Sequence, residues 1–382
     1  MRAIPQDRAS GPRARAIPEL AETGCCFRGV RVSSRLRRGD ADNRNELGRV
    51  SLATINGISS GLRNTAESPS GRTDDDHPQR TVWWWAALLR AMLSREMTER
   101  APAGHDGSVG HEPLALTVGC EFGLDCVQRS TAIAQVAPRL QSGVAMRSER
   151  WQTTADHHGY IDQYGNRCER FELATGSSQI TYEAQLVLTQ PADVIEPAAP
   201  EMPVALLPDE VLSFVMPSRF CLPDELGHEA WQRFGALAPG WARVQTIVDY
   251  VHGYLEFVPG ASNPWTTAAD AYRAGQGVCR DFAHLAITFC RALNIPARYV
   301  FGYIPNIGVP PPAEPMDFAA WFEAYLDGRW HTFDARNNKP RIGRVVVGHG
   351  RDAIDVALIT SFGPLTLTGF EVRAERTLAP GE

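Results

Sequence analysis

Residues 275–303 read GQGVCRDFAHLAITFCRALNIPARYVFGY, and this stretch decides the architecture of the chain. Cys279 stands where a helix should begin, and the helix should stop near Asn294 because Pro296 disfavours helical geometry just before it. Unpaired N–H groups and the positive end of the helix dipole favour thiolate over thiol at such a position. One apolar stripe, at steps of four and three, predicts the helix: Val278, Phe282, Leu285, Phe289 and Leu293.

The residues just before Cys279 also suit a reactive thiol. Gly275 and Gly277 allow tight backbone conformations and leave room for a substrate carbonyl. Upstream, helical spacing between Trp241 and Leu255 predicts a second helix. A capping-box-like start at Thr267 predicts a third, short one. Cys279 is therefore predicted to lie in a cleft at the end of a buried helix.

Three strands should follow this helix, at residues 297–304, 319–326 and 329–334. The last two are separated by Asp327-Gly328, a strong signal for a two-residue type I′ hairpin. This hairpin fixes the register, so Trp321 faces Asp334 across the pair, and residue 319 lies on the same face, diagonal to Asp334. A histidine at 319 would be held by Asp334 and could face the thiol, but the residue there is Ala319.

The chain as a whole divides into four parts by composition. Residues 1–112 are rich in Arg with poor apolar periodicity, which predicts disorder or only local helix; Met97 is an alternative start that would leave most of them untranslated. Residues 113–190 alternate in the manner of a small antiparallel β domain. Residues 191–208 form a Pro/Ala linker. Residues 209–375 carry the helices and strands described above.

Composition excludes several classes of function. The chain has a net charge of −6. Arg outnumbers Asp plus Glu only in the first hundred residues, so the part that is predicted to fold is acidic. An acidic fold argues against binding to nucleic acid. The cysteines have no zinc spacing, and no acidic loop has a calcium pattern, so no metal or cofactor is expected. No segment reads as a signal or a membrane span, which predicts a cytoplasmic protein with reduced thiols.

The motifs GVCRDFAHLA, IPARYVFGYIP and AWFEAYL with RWHTFDARN resemble the bacterial transglutaminase-like family, over about residues 240–345. The resemblance implies an α+β, papain-like core in which a helix with an N-terminal Cys packs on an antiparallel sheet, preceded by a small β domain. It implies Cys279 as the nucleophile and Asp334 as the orienting carboxylate. The family's histidine belongs at Ala319, and that departure puts catalysis in question.

Two classes of function follow from the resemblance. The first is a cysteine hydrolase or acyltransferase that acts on peptide or glutamine-type amides through a Cys279 thioester, impaired because the histidine that would serve as its base is replaced by Ala319. The second is a catalytically silent relative that binds peptides or scaffolds a partner. Other side chains are weak substitutes for the base: His331 faces away from Asp334, His284 is expected to make a structural hydrogen bond, and Asp317 would be a weak base.

Overall fold

The computed structural model describes residues 112–310 and 315–377 of the chain. The predictions for residues 1–112, including the alternative start at Met97, therefore fall outside the described residues apart from Glu112. Within the described part the fold is α+β, as predicted. It contains three four-stranded antiparallel sheets, one short parallel strand pair and five α-helices.

Two of the sheets form the β domain, and their strands alternate buried and partly exposed residues as a sheet with one covered face requires. One sheet has the order β14-β1-β6-β3 and the other has the order β13-β2-β5-β4. Trp151 of one sheet contacts Phe171 of the other with ring centroids 5.5 Å apart. The strands are β1 (Leu114–Cys126), β2 (Ser130–Ala134), β3 (Val144–Gln152), β4 (Asp156–Ile161), β5 (Arg167–Leu173), β6 (Gly176–Leu188), β13 (Ile359–Ser361) and β14 (Leu365–Arg376).

The C-terminal strands correct the predicted domain boundary at residue 375. β14 pairs with β1 from Leu116↔Arg376 to Cys126↔Leu365, and β13 pairs with β2. Residues 359–376 therefore complete the sheets of the β domain instead of extending the second domain. The local sequence pattern of a strand predicts which face is buried, but it does not predict a partner more than two hundred residues away.

The predicted linker, residues 191–208, is held against the second domain. Asp193 accepts hydrogen bonds from Arg344 Nε at 2.9 Å, and Glu201 forms an ion pair with Arg243. Its proline content limits regular structure to one 3₁₀ turn (Val204–Leu206) and an isolated bridge. The carboxylates of Asp193 and Glu201 hold the linker in place, although neither residue gives a secondary-structure signal in the sequence.

The helices of the second domain follow the apolar spacing of the sequence. At the start of the helix Ala268–Ala274, the Thr267 side chain accepts from the Asp270 N–H and the Asp270 carboxylate accepts from the Thr267 N–H, so the predicted capping box is confirmed. The helix that begins at Cys279 is confirmed as well and ends two residues before Asn294. The helices are α1 (Asp209–Leu212), α2 (Gly227–Phe234), α3 (Trp241–Tyr254), α4 (Ala268–Ala274) and α5 (Cys279–Ala292).

The third sheet has the order β11-β10-β9-β12 and positions the candidate site. Its hairpin is confirmed in register, since Leu326 faces Arg329 and Glu323 faces Thr332. Asp327 and Gly328 have φ values of 48° and 76°, as a type I′ turn requires. Its strands are β9 (Ala297–Tyr303), β10 (Ala319–Leu326), β11 (Arg329–Phe333) and β12 (Val345–Gly350), the last of which the sequence analysis did not predict.

Helix α5 packs across one face of this sheet. At its C-terminal end the guanidinium of Arg291 donates to Ala297 O, at the start of β9. Near its middle the His284 ring lies 5.0 Å from the Tyr299 ring. The C-terminal end of the helix lies at the start of β9, so its Cys279 end points toward the end of β9. Because β10 runs antiparallel to β9, this is also where β10 begins.

Candidate active site

The Cys279 backbone is held by its own helix. Cys279 is the first residue of α5 and is only 2% exposed. The Val278 N–H donates to Asp281 Oδ2 at 2.8 Å, so the Asp281 carboxylate caps the first turn. Burial raises the pKa of Asp281, which has no solvent exposure, against the opposing influence of the neighbouring Arg280. The helix start is therefore fixed by a buried carboxylate two residues after the candidate nucleophile.

The two glycines before Cys279 have different structural roles. Gly275 ends α4 with φ +68°, a conformation that side chains rarely adopt. Gly277 has no such conformation, but a Cβ there would lie 2.7 Å from Asp281 Cβ and 2.9 Å from Asp281 Oδ2. Gly277 therefore allows the capping carboxylate to approach the backbone.

The sulfur of Cys279 is disulfide-bonded in this structure. Thiolate chemistry at Cys279 consequently requires a reduced protein. Five cysteines of the described region are free and buried, and none of them begins a helix: Cys120, Cys126, Cys168, Cys221 and Cys290. Burial raises the pKa of these thiols, to about 12 for Cys221, which makes them poor nucleophiles.

Asp334 follows β11 directly and is almost fully buried. Asn337 donates to it twice, from its backbone N–H to Oδ1 at 2.9 Å and from Nδ2 to Oδ2 at 2.8 Å. Arg344 Nη2 donates to Oδ2 at 2.9 Å. Burial by itself would raise the pKa of Asp334, but the charge of Arg344 and the Asn337 hydrogen bonds outweigh it, so the pKa lies below its ordinary value.

Ala319 opens β10 opposite Gly302 and packs beside Trp321, Val300 and Val346. The guanidinium carbon of Arg344 lies 5.0 Å from the Trp321 ring centroid. Trp321, which shares a strand face with Ala319, therefore contacts the same arginine that binds Asp334. The face on which the histidine and Asp334 were expected to meet therefore holds the ion pair of Arg344 and Asp334, and Trp321 packs against this pair.

The chain before Cys279 and the loop after Asp334 meet at Phe257. The strand β7 (Glu256–Phe257) pairs in parallel with β8 (Gln276–Gly277), and the Val258 N–H donates to Gly277 O at 3.0 Å. Arg336, two residues after Asp334, places its guanidinium carbon 4.0 Å from the Phe257 ring centroid. The two predicted site residues therefore belong to neighbouring segments.

The family model described as the transglutaminase-like superfamily matches residues 231–335, which include both Cys279 and Asp334. The matched segment resembles this superfamily, and the term transglutaminase-like domain refers to it.

Solved and curated relatives extend the similarity beyond the transglutaminase-like domain. The chain resembles the crystal structure of a candidate cysteine protease from Cytophaga hutchinsonii, with a TM-score of 0.64 and 29% identity over 70% of this chain and 92% of that chain. It is 25% identical to an uncharacterized protein of Mycobacterium leprae, over 59% of this chain and 83% of the relative. An uncharacterized protein of Mycobacterium bovis is 26% identical over 61% of this chain and 81% of the relative.

Four histidines near the transglutaminase-like sheet are used elsewhere or face away from Asp334. His284 accepts from the Ala353 N–H at 3.1 Å, which confirms its structural role. His331 opposes Ala324 and lies 3.1 Å from Leu326 O, so it faces away from Asp334 as the register predicted. His252 Nδ1 lies 3.1 Å from Ala335 O, and His349 lines a separate cavity.

The residue that the sequence analysis missed in this site is Arg344. Its side chain is 7% exposed and lies between Asp334 and Asp193 of the linker. Burial would lower the pKa of Arg344, but the two carboxylates raise it, so the guanidinium stays charged. Arg344 belongs to an Arg-rich run after the last predicted strand, and no spacing rule in the sequence links it to Asp193.

The described residues contain neither a metal-binding cluster nor a helix that could cross a membrane. Residues 112–310 and 315–377 contain no group of three or more His, Cys, Asp or Glu side chains that could hold a metal ion. Over the same ranges no helix combines the length and the apolar content that crossing a bilayer needs.

Proposed function

We propose that the transglutaminase-like domain binds peptide or glutamine-type amides and, once Cys279 is reduced, acylates this thiol with strongly impaired turnover. The observation that carries the proposal is the pair of Ala319 and Asp334: the imidazole position holds a methyl group, and the orienting carboxylate binds Arg344 and Asn337. The similarity to a candidate cysteine protease supports the general class.

The proposed chemistry divides into a step that this chain supports and a step that it does not. The Cys279 thiolate at the start of α5 would attack the amide carbonyl, and the backbone N–H of Cys279 would bind the oxyanion. Collapse of the intermediate forms the thioester and expels the amine, which must take a proton. Because no imidazole stands at 319, water has to supply this proton, and the loss of a triad member costs several orders of magnitude in rate.

A second candidate function is a catalytically silent domain that binds peptides or a partner protein. The specific observation in its favour is that the Arg344–Asp334 pair is almost fully buried and hydrogen-bonded, which makes it a stable structural element. In this case Cys279 would have no acyl-transfer role. We propose the cytosol as the compartment for either function, because its reducing conditions would keep Cys279 as a thiol.

The first experiment measures the reactivity of Cys279. The full chain is reduced, labelled with iodoacetamide across a pH series and mapped by mass spectrometry, with Cys279→Ser as the control. We expect Cys279 to react at a pH below the ordinary thiol range of about 8.5. If Cys279 titrates like an ordinary thiol, the acylation proposal is wrong.

The second experiment restores the missing base. Ala319→His is made alone and with Arg344→Gln, which frees Asp334 for the imidazole, and ammonia release and incorporation of a fluorescent amine are measured with a glutamine-containing peptide. We expect a larger gain in the double variant than in Ala319→His, and no gain when Cys279→Ser is added. Wild-type turnover that depends on Cys279 supports the impaired enzyme. Peptide binding without such turnover supports the silent binding domain.

A further inference from the structure

A cavity of about 520 Å³ lies between the β domain, helix α1 and the third sheet. Tyr164 of the β4–β5 turn and Glu210 of α1 form part of its wall. Arg298 of β9, Trp330 of β11 and His349 of β12 line the sheet side. Cys279 and Asp334 do not line it, so it is separate from the candidate active site. Its volume falls in the range of small-molecule sites.

His349 is held rigidly by its backbone but not by its ring. The Asn166 side chain accepts from the His349 N–H at 2.9 Å and donates to its carbonyl at 2.8 Å. The imidazole is 6% exposed, and neither ring nitrogen has a hydrogen-bond partner among the described residues. The nearest carboxylate oxygen, Glu323 Oε2, lies 3.7 Å from Nε2. A buried polar group without a partner is costly, so the His349 ring is available to a polar group that enters the cavity.

The charges around His349 favour an anion. Arg298 donates to Glu323 at 2.6 Å, so these two charges largely offset each other. Arg139 donates to the neutral oxygens of Tyr164 and Asn166 and has no direct bond to a carboxylate of the described residues, although the charges of Asp162 and Glu323 act on it from a distance. Burial first, and then the charges of Arg298 and Arg139, place the pKa of His349 well below its usual range.

Two further charged groups line the cavity. Arg351 lines the wall and is paired with Asp355 at 3.0 Å and with the Tyr164 hydroxyl at 2.9 Å. Glu210 is exposed to solvent, where its charge is screened. The buried end of the cavity therefore carries the positive field, and the solvent-facing part of the wall carries a screened negative charge.

An aromatic wall stands beside this polar end. The Arg298 guanidinium carbon lies 4.2 Å from the Trp330 ring centroid, and Phe214 meets the same ring edge-on at 5.3 Å. Both rings line the cavity. A flat apolar group can pack on such a surface while a polar group of the same molecule reaches His349.

We propose that this cavity is a second binding site that takes a small organic carboxylate. The carboxylate accepts from the His349 imidazole in the field of Arg139, and the organic part packs on Trp330. No covalent step is involved, and the site is independent of Cys279 chemistry.

The test compares benzoate with its neutral isostere benzamide, by calorimetric titration of the full chain. We expect benzoate to bind more tightly, and His349→Gln to weaken benzoate binding by about tenfold or more, because a charge-assisted hydrogen bond is lost. His228→Gln, at an exposed position on α2, is the matched control and should bind as wild type does. Equal affinity for benzoate and benzamide would overturn the proposal, and so would unchanged benzoate binding in His349→Gln.

Two readouts keep the test independent of any folding defect in His349→Gln. Glu210→Gln removes an exposed carboxylate from the cavity wall, and we expect it to tighten benzoate binding about two- to fivefold. In the wild-type chain the imidazole resonances of His349 should titrate at higher pH when benzoate is bound, since an adjacent anion favours the charged ring. A Glu210→Gln affinity equal to wild type, or an unshifted His349 titration at saturating benzoate, would contradict the proposed binding mode.

Discussion

Arg344 Nη2 donates to Asp334 Oδ2 at 2.9 Å, and their side chains are 7% and 3% exposed. The carboxylate that would orient an imidazole in a transglutaminase-like triad therefore binds a guanidinium here. An arginine cannot lose its proton near neutral pH and so cannot act as a general base. The loss of the histidine at 319 is accompanied by an arrangement that stabilises the remaining carboxylate in its charged form.

Breaking this pair should destabilise the fold strongly. Arg344→Gln leaves the buried carboxylate of Asp334 and the partly buried carboxylate of Asp193 without their cation, and we expect a loss of about 3–5 kcal/mol in the free energy of unfolding. Urea unfolding of the reduced protein measures it. The double variant Arg344→Gln/Asp334→Asn should lose less than the sum of the single losses, because the two residues are in direct contact.

The matched control for this cycle is the exposed pair of Arg273 and Glu225, whose side chains are 62% and 42% exposed. Arg273→Gln should cost less than about 1 kcal/mol, since exposed ion pairs contribute little. Equal losses in Arg344→Gln and Arg273→Gln would show that the buried pair is not a structural element.

Stability should fall on mild acidification because of two buried neutral histidines. Burial places the pKa of His284 and of His349 well below the usual range, with further lowering by nearby arginines. Below the unfolded value of about 6.5 the unfolded chain binds these protons and the folded chain does not, so stability decreases as pH falls. We expect a slope of up to about 1.4 kcal/mol per pH unit for each histidine between roughly pH 6.5 and 5.

Urea unfolding at closely spaced pH values measures this slope. His284→Gln and His349→Gln should each remove part of it, although each variant also changes the stability at pH 7. Asp334 acts at lower pH: because its folded pKa is depressed, its contribution is present above the unfolded value of about 3.9 and is lost as pH falls through the folded value. If both glutamine variants keep the full dependence of stability on pH between roughly 6.5 and 5, then His284 and His349 are not its cause.

The start of α5 should not tolerate a side chain at 277. Gly277→Ala would place a Cβ 2.7 Å from Asp281 Cβ, and we expect a loss of about 1–3 kcal/mol together with slower alkylation of reduced Cys279. Gly253→Ala is the control, because a Cβ at this helical position meets nothing within 4 Å. It should be stabilising by about 0.5–1 kcal/mol. Thermal or urea unfolding compares the two variants, and a neutral Gly277→Ala would contradict the packing argument.

Local signals predicted the part of the site that lies on one hairpin and one helix. The turn at Asp327-Gly328 fixed the pairing of β10 with β11, so the face shared by residue 319 and Asp334 followed from strand alternation alone. The apolar stripe of α5 likewise located its first residue, Cys279. Both predictions depend on neighbours fewer than twenty residues apart.

Predictions failed where the deciding partner is distant in sequence. No strand was predicted at 365–376, and the pairing of this segment with β1 depends on residues that lie at the other end of the described chain. His157 and His158 lie in β4, where His157 pairs with Phe171 of β5. Their strand assignment comes from the β5 partner and not from their own propensity.

The sequence by itself determined that a cysteine begins a buried helix, that a type I′ turn sets the hairpin register and that alanine stands at position 319. These features follow from periodicity and turn chemistry, which act over a few residues. Only the tertiary structure decided that Asp334 binds Arg344 and that His349 lines a cavity with both ring nitrogens unbonded to the described chain. Those outcomes depend on burial and on charges brought together from distant segments, which local patterns do not encode.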